Sequence, residues 1–301
     1  GKQWIRLREL ELLDTPGTMP PAFDNQTYAK HLAYIGSMND ANIDFNDLAF
    51  ELLKDAGGIR AARIITDNFP KISWFRAHII AHQLRRGIPI AKIIHKKWFY
   101  GLEFYTNRKT LDPRPDTETL VCAVISDCDK NKKTAILDLG TGTGCIICAL
   151  VKNIPNTYGV AVDKSRRALR VAKRNIKTLG LGDKIQTIRT SFDKPYNFGT
   201  RFDIIVSNPP YIAHNDNRVD DGAKHDPKIA LYADKNGLAA YESIARNAKQ
   251  WIKNDGKLYL EIGIGQGNDI KNIFSAYGWD FISSHNDLSG TERVLVFKWG
   301  K

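Results

Sequence analysis

Apolar residues recur along this chain at two different spacings, and the change from one to the other divides it. Behind Asn46-Asp47, which can cap a helix, Leu48, Leu52 and Leu53 follow helical spacing until Gly57-Gly58 stops the run. Phe75, Ile79, Ile80 and Leu84 predict one face of a second helix from Ser73, ended by Gly87-Ile88-Pro89. The pattern is poorer upstream. A short helix is expected around residues 4–13, then an irregular arm punctuated by Asp14-Thr15-Pro16-Gly17 and Pro20-Pro21, with helical patterning from Tyr28. Aromatic and threonine residues over 98–111 predict a β-hairpin around Asn107-Arg108.

After Pro113, short apolar runs alternate with amphipathic stretches. Strands are predicted at 135–139, 159–162, 185–188, 202–206 and 258–262, with two more near Phe281 and over 294–297. The helices between them run from the glycine turn after Leu139 to about Asn153, over 165–179, from Leu238 to about Lys253, and after Gly267. Such alternation predicts an α/β fold with a doubly wound, mostly parallel sheet covered on both faces. The expected organisation is an N-terminal arm and helical domain at 1–95, a hairpin linker at 96–112 and the sheet domain at 113–301.

Composition narrows the class without naming a chemistry. Hydrophobic content of 43% and charged content of 26% suit a globular protein. No apolar run approaches the roughly 20 residues a membrane helix needs, so a cytoplasmic protein is expected. The N-terminus, Gly1-Lys2-Gln3-Trp4, has neither an initiator Met nor the apolar core of a secretory signal, which leaves an upstream segment open. Of the net charge of +11, +9 falls between residues 60 and 114, where twelve Lys and Arg meet only Asp67, Glu103 and Asp112. That excess suits a polyanion such as RNA or the ribosome, and a solvated face accounts for it equally well. Cys145 and Cys148 form a C-x-x-C without the second ligand pair that zinc requires. They read as core packing, and no metal is expected.

The first chemical signal is Asp138-Leu139-Gly140-Thr141-Gly142-Thr143-Gly144, at a strand-to-helix turn where such sheets bind ligands. A dinucleotide fingerprint would need a glycine where Cys145 stands, and no phosphate-binding G-x-x-x-x-G-K-[ST] loop exists. The D-x-G-x-G-x-G spacing resembles the nucleoside-binding turn of class I methyltransferases, implying S-adenosylmethionine as cofactor. Asp163 ends the next strand, where an acid can accept from both ribose hydroxyls or cap the following helix. Phe192, after the third strand, can stack on adenine or pack the core.

The second signal is Asn208-Pro209-Pro210-Tyr211 at the end of the fourth strand. An amide nitrogen is a poor nucleophile because its lone pair is delocalised into the carbonyl. Two fixed acceptors, the Asn208 side-chain oxygen and the Pro209 carbonyl, can grip its N–H groups and aim the lone pair at a sulfonium methyl. Pro209 and Pro210 stiffen the turn, and Tyr211 can lie against the planar target and exclude water.

With these residues stand Pro113-Arg114-Pro115-Asp116-Thr117-Glu118, His225-Asp226-Pro227-Lys228-Ile229-Ala230-Leu231, Gly237-Leu238, Glu261-Ile262-Gly263 and Gly290-Thr291-Glu292-Arg293. Together they resemble the HemK-type protein-(glutamine-N5) methyltransferases that modify peptide chain release factors, over about residues 75–297. The resemblance implies a small N-terminal helical domain, a hairpin linker and a Rossmann-like, seven-stranded class I methyltransferase domain. It implies the glutamine of a release factor's Gly-Gly-Gln loop as target, beside residues 208–211, with Arg114 and Glu118 shaping the pocket. The bland reading of these two is a domain-boundary salt bridge. Two positions depart from the family pattern: Asp112 stands where an apolar residue is usual, and Ser191 replaces an acid, for which Asp193 could compensate.

Three other readings use the same residues. A nucleic-acid amino-methyltransferase would apply the 208–211 chemistry to a flipped base, but no target-recognition domain is evident. A ribosomal-protein glutamine methyltransferase is suggested by the aromatic run from Trp98 to Tyr105, although such enzymes lack an intact R-P-x-T-E. A non-catalytic binding protein would have no use for Asn208, Asp163 and the glycine turn together.

Overall fold

The computed structural model describes residues 3–7, 10–14, 45–216 and 223–300; the arm after Asp14 and the helical patterning expected from Tyr28 to residue 44 lie outside them. The chain divides into two compact units, Gly1–Arg85 and Arg86–Lys301.

In the first unit, β1 (Gln3–Leu7) and β2 (Leu10–Asp14) form an antiparallel pair where a short helix was expected. Its register sets Ile5 opposite Leu12, Leu7 opposite Leu10 and Arg6 opposite Glu11. Helix α1 (Phe45–Asn68) runs past the expected stop, with a break at Gly58, whose φ of 82° no helix tolerates. Helix α2 (Trp74–Arg85) buries Ala77, Ile80 and Ala81. Phe75 and Ile79, expected on its inner face, are exposed instead. Small residues allow a closer approach than the aromatic face would, and they decide which side turns inward.

The second unit opens with the short helix α3 (Ile90–Ile94) and a hairpin, β3 (Lys96–Phe99) and β4 (Leu102–Tyr105). Its turn lies at Tyr100-Gly101, both at positive φ (48° and 71°), not at Asn107-Arg108. A two-residue turn with both central residues left-handed matches the twist of the flanking strands. Asn107 caps a local turn instead, its side chain accepting from the Lys109 amide.

A turn at Pro115–Thr117 leads into α4 (Glu118–Asp127), and then come β5 (Thr134–Leu139), α5 (Cys145–Asn153), β6 (Thr157–Val162), α6 (Arg166–Thr178), β7 (Ile185–Ile188) and β8 (Phe202–Ser207). After α7 (Lys228–Leu231) follow α8 (Ala239–Ala248), β9 (Ile252–Glu261), α9 (Gly267–Ala276), β10 (Trp279–Asn286) and β11 (Glu292–Trp299). The expected sheet is present: seven strands in the order β10-β11-β9-β8-β5-β6-β7, with β9, β8, β5, β6 and β7 parallel and β11 antiparallel to both its neighbours, β9 and β10. Helix α8 is shorter than predicted because Ile252 already pairs with Phe202, which claims the segment for β9.

Successive residues of β5 point to opposite cores. Ile136 packs with Leu120, Val124 and Ile147 on one face, and Leu137 and Leu139 pack with Tyr241, Ile244 and Phe274 on the other. Burial on both faces makes these strands read as mostly apolar runs. Cys145 and Cys148 belong to the first core. Burial pushes the Cys145 thiol up to about 12, so it packs as a neutral, weakly reactive group.

Candidate functional site

The carboxyl ends of β5, β6, β7 and β8 bring Gly140, Asp163, Thr190 and Asn208 to one edge of the sheet. In this topology that edge is where a crevice opens. A cavity there is lined by Gly140, Gly142, Asp163, Phe192, Asn208 and Pro210, with Leu111, Ile229 and Ala230 on the facing side.

Gly140, Gly142 and Gly144 have φ of 76°, 54° and 81°, where a Cβ is strained and where its absence lets a ligand approach the backbone. The amides of Gly140 and Thr141 both donate to the Val162 carbonyl at 2.9 Å, which fastens the turn to the end of β6. Asp163 closes the arrangement. Its Oδ2 accepts from the Gly142 amide at 3.0 Å and its Oδ1 from the Ser165 amide at 2.8 Å. Burial raises its pKa, and the two amides and Lys164 act in the opposite direction. Each oxygen keeps a lone pair free for a further donor.

Three residues expected in contact with the cofactor are not on the cavity wall. Thr141 is buried and donates to Asp138 Oδ2 at 2.6 Å. Thr143 is buried, its carbonyl accepting from the Asn175 side chain at 2.9 Å. Gly144 caps α5 at a φ of 81°, where a side chain would be strained. They shape the turn from beneath, because the residues between its inward positions must face the sheet. Asp138 is wholly buried under them, and burial pushes its carboxyl up to about 7. Ser191 lines the cavity, whereas Asp193, expected to compensate for it, is exposed and off the wall.

A second cavity adjoins the first and shares Leu111, Asn208 and Ala230 with it; its other walls include Arg114, Asp116, Tyr211, Glu261 and Arg293. Pro209 is buried and on neither wall. The 208–211 turn is braced from several sides. Ser207 Oγ donates to the Leu139 carbonyl at 2.7 Å, and Asn208 Nδ2 to Thr117 Oγ1 at 3.1 Å. The Gln266 side chain donates to the Tyr211 carbonyl at 3.0 Å. Gly237 packs so closely on this turn that a Cβ would overlap the Tyr211 carbonyl oxygen. Burial pushes the Tyr211 hydroxyl far above its ordinary range, so it stays neutral.

Arg114 and Glu118 part company. Arg114 lines the second cavity and its Nη2 meets Asp226 Oδ2 at 2.9 Å. Glu118 turns to the hairpin, where its Oε1 accepts from the Tyr100 amide at 2.8 Å, and it is on neither cavity wall. Asp226 Oδ1 in turn lies 2.8 Å from Lys92 Nζ, which also lies 2.8 Å from Asp112 Oδ1. The acid at 112 is therefore explained: it is half of a buried ion pair whose cation stands in α3. It also shows that Lys92, one of the basic residues expected to face a polyanion, is fully buried and cannot do so.

Thr117, Glu261 and Gln266 went unmarked in the sequence reading. Thr117 and Glu261 sit inside recognised motifs, and their buried polar character is the only local hint. Gln266 has none.

Residues 116–225 match the family model described as the methyltransferase small domain. A bifunctional methyltransferase of Rickettsia typhi is 40% identical over 69% of this chain and 44% of its own length. The chain thus spans about half the length of the Rickettsia relatives it matches. A release factor glutamine methyltransferase of Cereibacter sphaeroides is 36% identical over 82% of this chain and 88% of its own length. Among solved structures, the hMettl16 catalytic domain superposes with a TM-score of 0.55 at 17% identity, over 75% of this chain and 81% of that one, a likeness of fold. Among the described residues no helix is long and apolar enough to cross a membrane, and no group of His, Cys, Asp and Glu is placed to hold a metal.

Proposed function

Because this chain belongs to the release factor glutamine methyltransferase family, we propose that it methylates the N5 amide nitrogen of the glutamine in the Gly-Gly-Gln loop of peptide chain release factors, with S-adenosylmethionine as donor. The observation that carries the reading is the place of Asn208 on the walls of both cavities, one for the donor and one for the target.

The donor cavity fits a nucleoside. Its glycine turn is one that side chains would fill, and Asp163 holds a half-buried carboxylate with acceptor capacity to spare for two ribose hydroxyls. Phe192 would lie along the adenine. S-adenosylmethionine supplies a methyl on a positively charged sulfur. The chain's task is then orientation: Asn208 Oδ1 and the Pro209 carbonyl take the two N–H groups of the target amide, and Tyr211 covers its plane. Because Asn208 Nδ2 is already engaged by Thr117, Oδ1 is the atom left for the target. Arg114 would border the target side. The expected compartment is the cytoplasm, and contact of the basic residues at 60–114 with RNA or the ribosome remains part of this reading for those outside the buried Lys92.

Asn208→Ala is expected to bind S-adenosylmethionine as the parent does, by calorimetry, and to lose about a hundredfold or more in methyl transfer. The assay is mass analysis of a release factor after incubation. Undiminished turnover in that variant, or methyl label appearing in RNA in place of the release factor, would overturn the proposal.

A further inference from the structure

Glu261, the last residue of β9, borders the second cavity and is 2% exposed; its Oε2 has no hydrogen-bond partner. A buried carboxyl with one oxygen unserved is costly, and an apolar residue would fill the place more cheaply. Beside it the Thr117 hydroxyl accepts from Asn208 Nδ2 at 3.1 Å. A hydroxyl that accepts still has its own hydrogen to direct. Thr117 is buried, and its hydroxyl favours the charged form of the Glu261 carboxyl.

We infer that Glu261 is a positioning residue for methyl transfer, acting through Thr117 to fix and polarise the Asn208 amide so that its Oδ1 meets the target nitrogen. The inference rests on the glutamine-methylation reading. An ionised Glu261 draws the Thr117 hydrogen, which makes the threonine oxygen a stronger acceptor for Asn208 N–H. The amide resonance of Asn208 then shifts charge onto Oδ1, and hydrogen bonds in a chain strengthen one another. A stronger acceptor pulls the target N–H and loosens the target's own amide resonance. Glu261 makes and breaks no covalent bond. The N–C bond forms as the C–S bond breaks, and the proton displaced from nitrogen passes to water.

Several groups surround Glu261. Arg293 from β11 favours its charged form and Asp116 from the turn before α4 disfavours it; Thr117 and Asn208 also favour the charge. Tyr211 and Cys145 stay neutral nearby, Arg114 shares the cavity, and the Tyr241 hydroxyl from α8 donates to the Glu261 backbone carbonyl at 2.9 Å. Burial outweighs the rest and pushes the carboxyl up to about 7. Below that pH a neutral Glu261 would donate to Thr117, and the chain of hydrogen bonds would run the other way.

The test is kcat for methylation of a release factor by the full chain, followed across neutral pH. Wild-type kcat should fall as pH drops through about 7. Glu261→Gln should lose at least about tenfold in kcat at alkaline pH, lose the pH limb, and keep its KM for S-adenosylmethionine. Thr117→Val should behave alike, with Thr117→Ser restoring the limb. A Glu261→Gln enzyme with parental kcat and the same limb would overturn the inference. A wild type that leaves release factor unmethylated at every pH strikes the substrate reading instead. In that case the carboxyl infrared band present in wild type and absent in Glu261→Gln decides: a shift in Thr117→Val supports the contact, and an unmoved band overturns it.

Discussion

Lys92 illustrates how one side chain sets the terms for several others. Its ammonium is wholly buried and lies 2.8 Å from both Asp112 and Asp226, with the Asn107 carbonyl also at 2.8 Å. Removing one partner of such a cluster leaves uncompensated buried charge. Lys92→Met should therefore cost about 3–5 kcal/mol in urea denaturation, and Lys92→Met combined with Asp112→Leu should cost less than Lys92→Met alone. Glu261 is the converse case. Its pKa in the folded chain, about 7, lies above the ordinary value of 4.5, so the folded state resists ionisation and loses stability as pH rises through that interval. Glu261→Gln should be the more stable protein at alkaline pH, by up to about 3 kcal/mol. The gap should close as pH falls toward the ordinary carboxylate value. A variant that gains stability and loses turnover would mark a residue kept for chemistry.

Among the elements, the 208–211 turn owes its shape to neighbours far along the chain. Gly237 precedes α8, with φ of 87° and no room for a Cβ against the Tyr211 carbonyl. Gly237→Ala must therefore either strain its own backbone or push the turn. It should lower kcat while calorimetry shows unchanged S-adenosylmethionine binding, at a stability cost of about 1–3 kcal/mol. The elements also show what local sequence can convey. Strands β5, β6 and β8 were legible because both faces are largely covered and most positions are apolar. The hairpin was misplaced by a few residues because Asn107 is a stronger turn signal than Tyr100, and only the strand twist favours Tyr100-Gly101. The first half of β9, Ile252-Lys253-Asn254-Asp255, reads as polar helix end, since its partner Phe202 is remote in sequence. The site follows the same rule. Contiguous motifs exposed Asn208, Asp163 and the glycines; Thr117, Glu261 and Gln266 converge on them only by tertiary contact. Glu118 lies in the same motif as Arg114, yet serves the hairpin.

Across the whole molecule, acids are shifted in both directions, and their sum shapes stability. Asp138 and Glu261 are raised to about 7 by burial, and Asp163 and Asp226 are also raised. These groups favour the folded state least at high pH. Asp127 and Asp203 are lowered by Lys257 and Lys253 and by hydrogen-bond donors, and Asp287 by Ser289 and Arg293, so their contribution is lost on acidification. The two trends bracket a maximum near the ordinary carboxylate range, roughly pH 4, which urea midpoints measured across the pH range would locate. A midpoint still rising above pH 7 would contradict the balance. The net charge of +11 bears on partners more than on this curve, and Lys92 shows that counting basic residues overstates what reaches solvent.

The buried pair of Lys92 and Asp112 also constrains how this sequence can change. An apolar residue at position 112 would leave Lys92 with a single buried carboxylate, and loss of Lys92 first would strand two acids. Either single step is a valley, so the two positions are expected to be inherited as a unit and to tolerate exchange only together. Asp226, tied to both Lys92 and Arg114, carries that coupling to the wall of the second cavity, so a substitution in α3 would be felt there as well.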